Sequence, residues 1–295
     1  MATLYQDRSS NIAKTWLLMT SFLVVVIAIG WGISWYLNSP VILYVAVAFS
    51  LIMNVGAYWF SDKVVLSMTH AKPASREEFF DFYTISENLA ITAGLPMPKL
   101  YVVNDPAPNA FATGRDEKHA VVAATTGLLS MLNKTELEGV IAHEMSHIKN
   151  RDMLVMTITV VLAGFIAILA DMFIRMSFFG GGNRDSDSKA GVIVLVVGIL
   201  AAILAPIAAQ LIKLAVSRKR EFLADASGAL LTRYPQGLAS ALEKISSYNR
   251  PMQSASTATA HLFISNPFGP GALKGMSKLF MTHPPVEERI KALLD

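Results

Sequence analysis

The stretch TELEGVIAHEMSHIK, Thr135–Lys149, decides how the rest of the chain is read. Inside it stands His143-Glu144-Met145-Ser146-His147, an H-E-x-x-H pattern. Leu137, Val140, Ile141, Met145 and Ile148 recur at helical spacings, so the segment predicts a helix with one buried side. Thr135 and Glu138 make a T-x-x-E pair that predicts its start. Positions four apart lie on one helical face, so both imidazoles can grip a single metal ion. Glu144 falls on the adjacent edge, where it can act on a water at the metal without binding the metal itself. With 6 His in 295 residues, random order gives roughly 0.005 such patterns per chain, so chance explains it poorly.

The surrounding composition points to a membrane. The chain is 53% hydrophobic and 16% charged, against about 25% charged in soluble domains. The apolar excess lies in four blocks, about 16–37, 41–60, 153–174 and 190–216. Each reaches the roughly 20 residues that a spanning helix needs. Only Asn38-Ser39-Pro40 separates the first two, so residues 1–60 read as a transmembrane hairpin. The other two form a second hairpin over 153–216, with Asp171 and Arg175 paired at a span end and a kink at Pro206. Arg8 and Lys14 precede the first span, the first turn has no Lys or Arg, and Lys63, Lys72 and Arg76 follow the second. Lys213, Arg218, Lys219 and Arg220 follow the fourth. The bias places both termini and the His143 region in the cytosol. Arg175, Arg184 and Lys189 in the second outer loop weaken it without reversing it. Net charge is +3 and no basic stripe is interleaved with aromatics, which excludes a nucleic-acid partner. With no Cys, any metal must be held by His and carboxylate, and there is no disulfide framework.

Residues 61–152 and 217–295 remain, enough for one cytosolic domain split by the second hairpin. A helix is predicted over 79–93, ending at Gly94, and a strand over 99–104. Short β runs at 110–113 and 120–125 flank the turn Gly114-Arg115-Asp116, which suggests a small antiparallel sheet ahead of the metal helix. Residues 218–231, 238–249 and 285–294 read as helices. Residues 254–270, rich in Ser, Thr, Asn and Pro, read as a mobile loop.

A hydrolytic zinc site needs three protein ligands and one open position. His70, His119, His261, His283 and various carboxylates could supply the third. The best is Glu221, in Arg220-Glu221-Phe222-Leu223-Ala224-Asp225. Asp225 falls one turn later on the same face, where it could hold a ligating histidine.

At this point the residues resemble a known family. Asn109-Ala110-Phe111-Ala112-Thr113-Gly114, the H-E-x-x-H followed by Asn150-Arg151-Asp152, Glu221-x-x-x-Asp225, and Thr282-His283-Pro284-Pro285 with Glu288-Arg289 are similar to motifs of the M48 zinc metallopeptidases. The resemblance covers the whole chain. It implies an α-helical membrane protein with four transmembrane helices and a mainly α (α+β) cytosolic zincin-like protease domain. It implies one Zn²⁺ per chain held by His143, His147 and Glu221, with Glu144 as general base. His283 would sit near the site, where it could polarise the scissile carbonyl or stabilise the oxyanion, and Asp225 and Arg289 would support the site. Asn109, Ala110, Phe111 and Ala112 would form an edge strand that pairs with an extended peptide. The implied activity is endopeptidase cleavage of flexible or misfolded segments of membrane proteins, a quality-control task in stress. It would take place at the cytosolic face of a bacterial inner membrane. The partners are polypeptide substrates and the lipid bilayer. Two alternatives are a zinc-stabilised membrane scaffold or chaperone without catalysis, against which Glu144 argues, and a processing protease of the prenyl-protein type, whose members carry more spans.

Overall fold

The structure, a computed structural model, describes residues 2–36, 38–162, 164–165, 218–256, 258–269 and 284–295. Two long helices open the chain, α1 (Ala2–Tyr36) and α2 (Pro40–Met68). Pro40 sits in the first turn of α2, where its missing N–H costs nothing. The two helices approach closely where Gly30 meets Ala46, since a Cβ on Gly30 would overlap Ala46. Both are long and apolar enough to cross a membrane, over Ser9–Trp35 and Pro40–Met68. Large apolar side chains stay exposed along them, among them Leu17, Val24, Val45 and Ile52. Exposed aromatics stand at both ends: Trp31, Trp35 and Tyr44 beside the turn, and Trp16, Trp59 and Phe60 at the far end. Fifteen to nineteen helical residues between these groups span about 22–29 Å, close to a bilayer core.

Of the third apolar block, residues 153–162 and 164–165 are described. They are helical, with α6 running from Asp152 to Leu162. Leu154, Ile158 and Leu162 of α6 pack with Leu18, Phe22 and Ala57 of the first hairpin. The fourth block, with Asp171, Arg175 and Pro206, lies outside the described residues.

Beyond the hairpin, α3 (Phe80–Ala93) ends as expected at Gly94, whose φ of 68° is the left-handed conformation that favours glycine. Four strands follow or precede it: β1 (Lys72–Pro73), β2 (Lys99–Val103), β3 (Ala110–Thr113) and β4 (Val121–Thr125). They form one sheet in the order β1-β2-β4-β3. The β3–β4 pair is antiparallel, but β2 and β4 are parallel, so the sheet is mixed rather than antiparallel. The reason is topological. Successive strands alternate in direction, and β4, not β3, docks beside β2. That leaves β3 on the outside of the sheet.

The H-E-x-x-H segment lies on α5 (Lys134–Asn150). Its start differs from the expected Thr135–Glu138 box. The capping box is Asn133 with Glu136: the Asn133 side chain accepts the Glu136 N–H at 3.0 Å, and Glu136 accepts the Asn133 N–H at 2.9 Å. Asn is a stronger cap than Thr, and it stands two residues earlier. The short α4 (Thr126–Met131) precedes it, and α7 (Arg218–Thr232), α8 (Pro235–Ser247) and α9 (Val286–Leu294) complete the domain. The segment expected as a mobile loop is packed instead. Residues 258–264 are buried, Phe263 meets Phe111 edge to face at 5.2 Å, and the Ile264 N–H donates to the Ala110 carbonyl at 2.9 Å.

Candidate active site

The core side of α5 carries Val140, Ile141 and Met145, which bury it among α3, α8 and the sheet. The same helix holds His143, Glu144 and His147 within the protein, all at most 5% exposed. Against it lies α7, and Gly228 is what allows the approach. A Cβ there would stand 2.9 Å from the His143 backbone nitrogen. Glu221 sits seven residues before Gly228, two turns along the same face of α7. Helix packing therefore delivers it to the histidines: His147 Nε2 lies 3.6 Å from Glu221 Oε1, and His143 Nε2 lies 3.9 Å from Glu221 Oε2.

Each imidazole turns its other nitrogen to a carboxylate. His143 Nδ1 lies 2.8 Å from Asp225 Oδ1, and His147 Nδ1 lies 3.2 Å from Asp152 Oδ2. A carboxylate there fixes the ring and favours its proton on Nδ1, leaving Nε2 as a lone pair. The two Nε2 atoms are 3.1 Å apart. Two lone pairs at that distance repel unless something positive stands between them. Burial opposes a charged His147, but Asp152, Glu221 and Glu144 outweigh it and raise its pKa to about 9. His143 moves the other way: burial lowers its pKa, and Asp225 only partly offsets this. The ligand atoms of His143, His147 and Glu221 all fall within 4.8 Å of one another. An ion about 2 Å from each nitrogen fits between them, so the donor set suits zinc.

Glu144 is the remaining buried acid. Burial raises its pKa to about 7, Glu221 adds to the rise, and His147, Arg289 and the Ala112 N–H oppose it. The Ala112 contact places Glu144 against the outer side of β3. Ala112 therefore borders the site, Phe111 turns its ring to Phe263 on the other face of the strand, and Ala110 is paired with Ile264. Asn109 does something else. Its side-chain amide donates to the Ser265 carbonyl at 2.9 Å and accepts the Ser265 N–H at 3.2 Å, which ties residues 264–265 to the start of β3.

Arg289 lies on α9 and is 1% exposed. It holds Asp225 through two bonds, Nε to Oδ2 at 2.8 Å and Nη2 to Oδ1 at 2.6 Å, and donates to the Ile264 carbonyl at 3.1 Å. Arg289 thus reaches the histidine group through Asp225, which faces His143 Nδ1. His283 lies outside the described residues. His70, His119 and His261 stand apart from the cluster: His119 pairs with Asp116, and His261 bonds the Met156 carbonyl. The sequence reading quotes Asp152 within a motif without giving it a role, and passes over Asn11 and Gly228. Asp152 had a signal, a carboxylate just past the end of the H-E-x-x-H helix.

Two histidines one turn apart, a glutamate from a second helix and a buried glutamate between the histidines define the class: a metallopeptidase. The chain belongs to Peptidase family M48, whose sequence profile matches residues 78–295. It is 50% identical over 296 residues to a Protease HtpX homolog of Caldanaerobacter subterraneus subsp. tengcongensis, covering 99% of this chain and 97% of that one. It is 47% identical over 282 residues to a Protease HtpX homolog of Thermococcus kodakarensis, covering 94% of each. The crystal structure of S. mikatae Ste24p has a similar fold, with a TM-score of 0.51 at 19% identity over 99% of this chain and 67% of that one. The chain is thus a membrane-bound metalloprotease.

Proposed function

We propose that this protein is a zinc endopeptidase that cleaves flexible or misfolded segments of membrane proteins at the cytosolic surface of a bacterial inner membrane. The reading rests above all on the convergence of His143, His147 and Glu221 within 4.8 Å, with Glu144 beside them at the outer strand of the sheet. Those three residues would hold one Zn²⁺. When bound, the ion would supply Lewis acidity toward a water molecule and toward the scissile carbonyl. Glu144, its pKa raised to about 7 by burial, would take a proton from an attacking water and hand it to the leaving amine. Asp225 and Asp152 orient the two imidazoles, and Arg289 fixes Asp225. His283, by the family resemblance, would polarise the carbonyl or stabilise the oxyanion.

Substrate would lie extended beside β3. Ile264 already occupies the Ala110 carbonyl and Glu144 meets the Ala112 N–H, so a peptide would pair from the Ala112 carbonyl onward. Pairing through main-chain groups accepts many sequences but demands an unfolded segment. The Lys and Arg asymmetry around the spans supports a cytosolic site. The names of the HtpX relatives are consistent with quality control. The test is Glu144→Gln in detergent-solubilised protein supplied with zinc. The substitution should keep zinc and fold while abolishing cleavage of casein and of the chain itself. Wild-type cleavage by the variant would sink the mechanism. A zinc-loaded wild-type protein that cleaves nothing would favour the scaffold reading.

A further inference from the structure

Asn11 lies on α1, five residues before the exposed Trp16, and is 2% exposed. Its side chain reaches across the fold. Nδ2 donates to Asp152 Oδ1 at 2.5 Å and to the Asn150 carbonyl at 3.1 Å. Oδ1 accepts from Arg220 Nη1 at 3.4 Å. Arg220 Nε in turn stands 4.0 Å from Asp152 Oδ1. Both partners adjoin the metal group. Asp152 is the carboxylate that faces His147 Nδ1, and Arg220 immediately precedes Glu221. One amide on the first membrane helix therefore bridges the end of α5 and the start of α7. These are the two segments that carry the site.

The chemistry of the contact is specific. Asp152 is a buried carboxylate with two oxygens to satisfy. Oδ2 faces His147, and Oδ1 takes the Asn11 amide. A carboxylate held from both sides has one orientation, and that orientation fixes the His147 ring. Residues behind a metal-ligating histidine typically change metal affinity 10- to 100-fold when replaced. An asparagine does this without adding charge, so Asp152 stays available to the imidazole. Thr15, one turn further along α1, makes a useful contrast. It is as deeply buried, but among the described residues its hydroxyl bonds only the Asn11 carbonyl within its own helix.

We propose that Asn11 is a positioning residue for the metal site, and that docking of the N-terminal membrane helix sets the geometry of His147 through Asn11 and Asp152. The proposal rests on the reading of His143, His147 and Glu221 as metal ligands. It makes the hydrolytic site dependent on a residue 132 positions before the motif, at the membrane end of the molecule. A protease domain cut away from α1 would keep its ligands and lose the support of one of them.

The test is the zinc affinity of the full chain in detergent, measured by competition with a chromogenic chelator. Wild type is compared with Asn11→Ala and Thr15→Ala, and thermal melting of the metal-free proteins is recorded alongside. Asn11→Ala should bind zinc about 10-fold or more weakly, and Thr15→Ala should stay within about two-fold of wild type. A role confined to helix docking would lower melting in both variants and leave affinity unchanged, and that result overturns the proposal. So does an equal loss in Thr15→Ala. If Asn11→Ala does not fold, Asn11→Asp keeps the size and turns the donor into an acceptor; wild-type affinity in that variant is equally fatal. Wild-type protein that binds no zinc overturns the metal reading itself, which separates the two failures.

Discussion

Replacing Arg289 by Ala removes the guanidinium that faces Asp225, and the structure allows the cost to be worked out. Arg289 makes two charge-assisted bonds to Asp225, at 2.8 and 2.6 Å, and one bond to the Ile264 carbonyl at 3.1 Å. Its partner carboxylate is 2% exposed. After the substitution Asp225 keeps His143 Nδ1 and loses its counter-charge in a dry site. Breaking a buried pair from one side costs about 3–5 kcal/mol, mostly through the charge left behind. For a chain of this size each kcal/mol moves the melting point by roughly 2–4 °C. Arg289→Ala should therefore melt roughly 6–20 °C below wild type when the metal-free protein is heated in detergent and followed by circular dichroism. Removing both partners should cost less than the sum of the single changes, because the double variant buries no lone charge. A cycle of Arg289→Ala, Asp225→Asn and their combination should show coupling of about 1–3 kcal/mol. A melting point for Arg289→Ala within about 3 °C of wild type, or additive costs in the cycle, would refute the reasoning.

Other expectations follow from the same geometry. Gly228→Ala places a methyl 2.9 Å from the His143 backbone nitrogen, so α7 must move off α5. The fold should lose about 1–3 kcal/mol, and zinc affinity should fall as Glu221 retreats, both readable by melting and chelator competition. Glu136 is buried and accepts from Lys244, Ser240 and the Asn133 N–H; burial opposes its ionisation, but these partners win and hold its pKa below 4.5. The folded value lies below the unfolded one, so the stabilisation is present above about pH 4.5 and drains away as pH falls through the folded value. Glu136→Gln should flatten that part of the melting-point-against-pH curve, and an unchanged acid slope would contradict the assignment.

The parts legible in the sequence were those carried by local pattern. The period of Leu137, Val140, Ile141 and Met145 predicts α5, and the four-residue spacing predicts that His143 and His147 share a face. The same argument relates Glu221 to Asp225. The two long apolar helices α1 and α2 follow from uninterrupted apolar length. What was not legible depends on contacts distant in sequence. Nothing in residues 99–125 says that β4 enters between β2 and β3, so the parallel pair was missed. Residues 258–264 look like loop by composition, yet Phe263 and Ile264 find a partner in β3. Asn11 and Asp152 are 141 residues apart, and neither carries a mark of the other. The start of α5 was misread because two N-x-x-E-like patterns overlap, and the stronger cap stands first.

The central claim is that His143, His147 and Glu221 together hold the catalytic metal. Elemental analysis of purified protein, taken through a mild chelator wash, tests it most directly. Wild type and Glu144→Gln should each retain close to one zinc per chain, and Glu221→Ala should lose it while keeping its helical circular dichroism. Zinc retained in Glu221→Ala at the wild-type level would contradict the account.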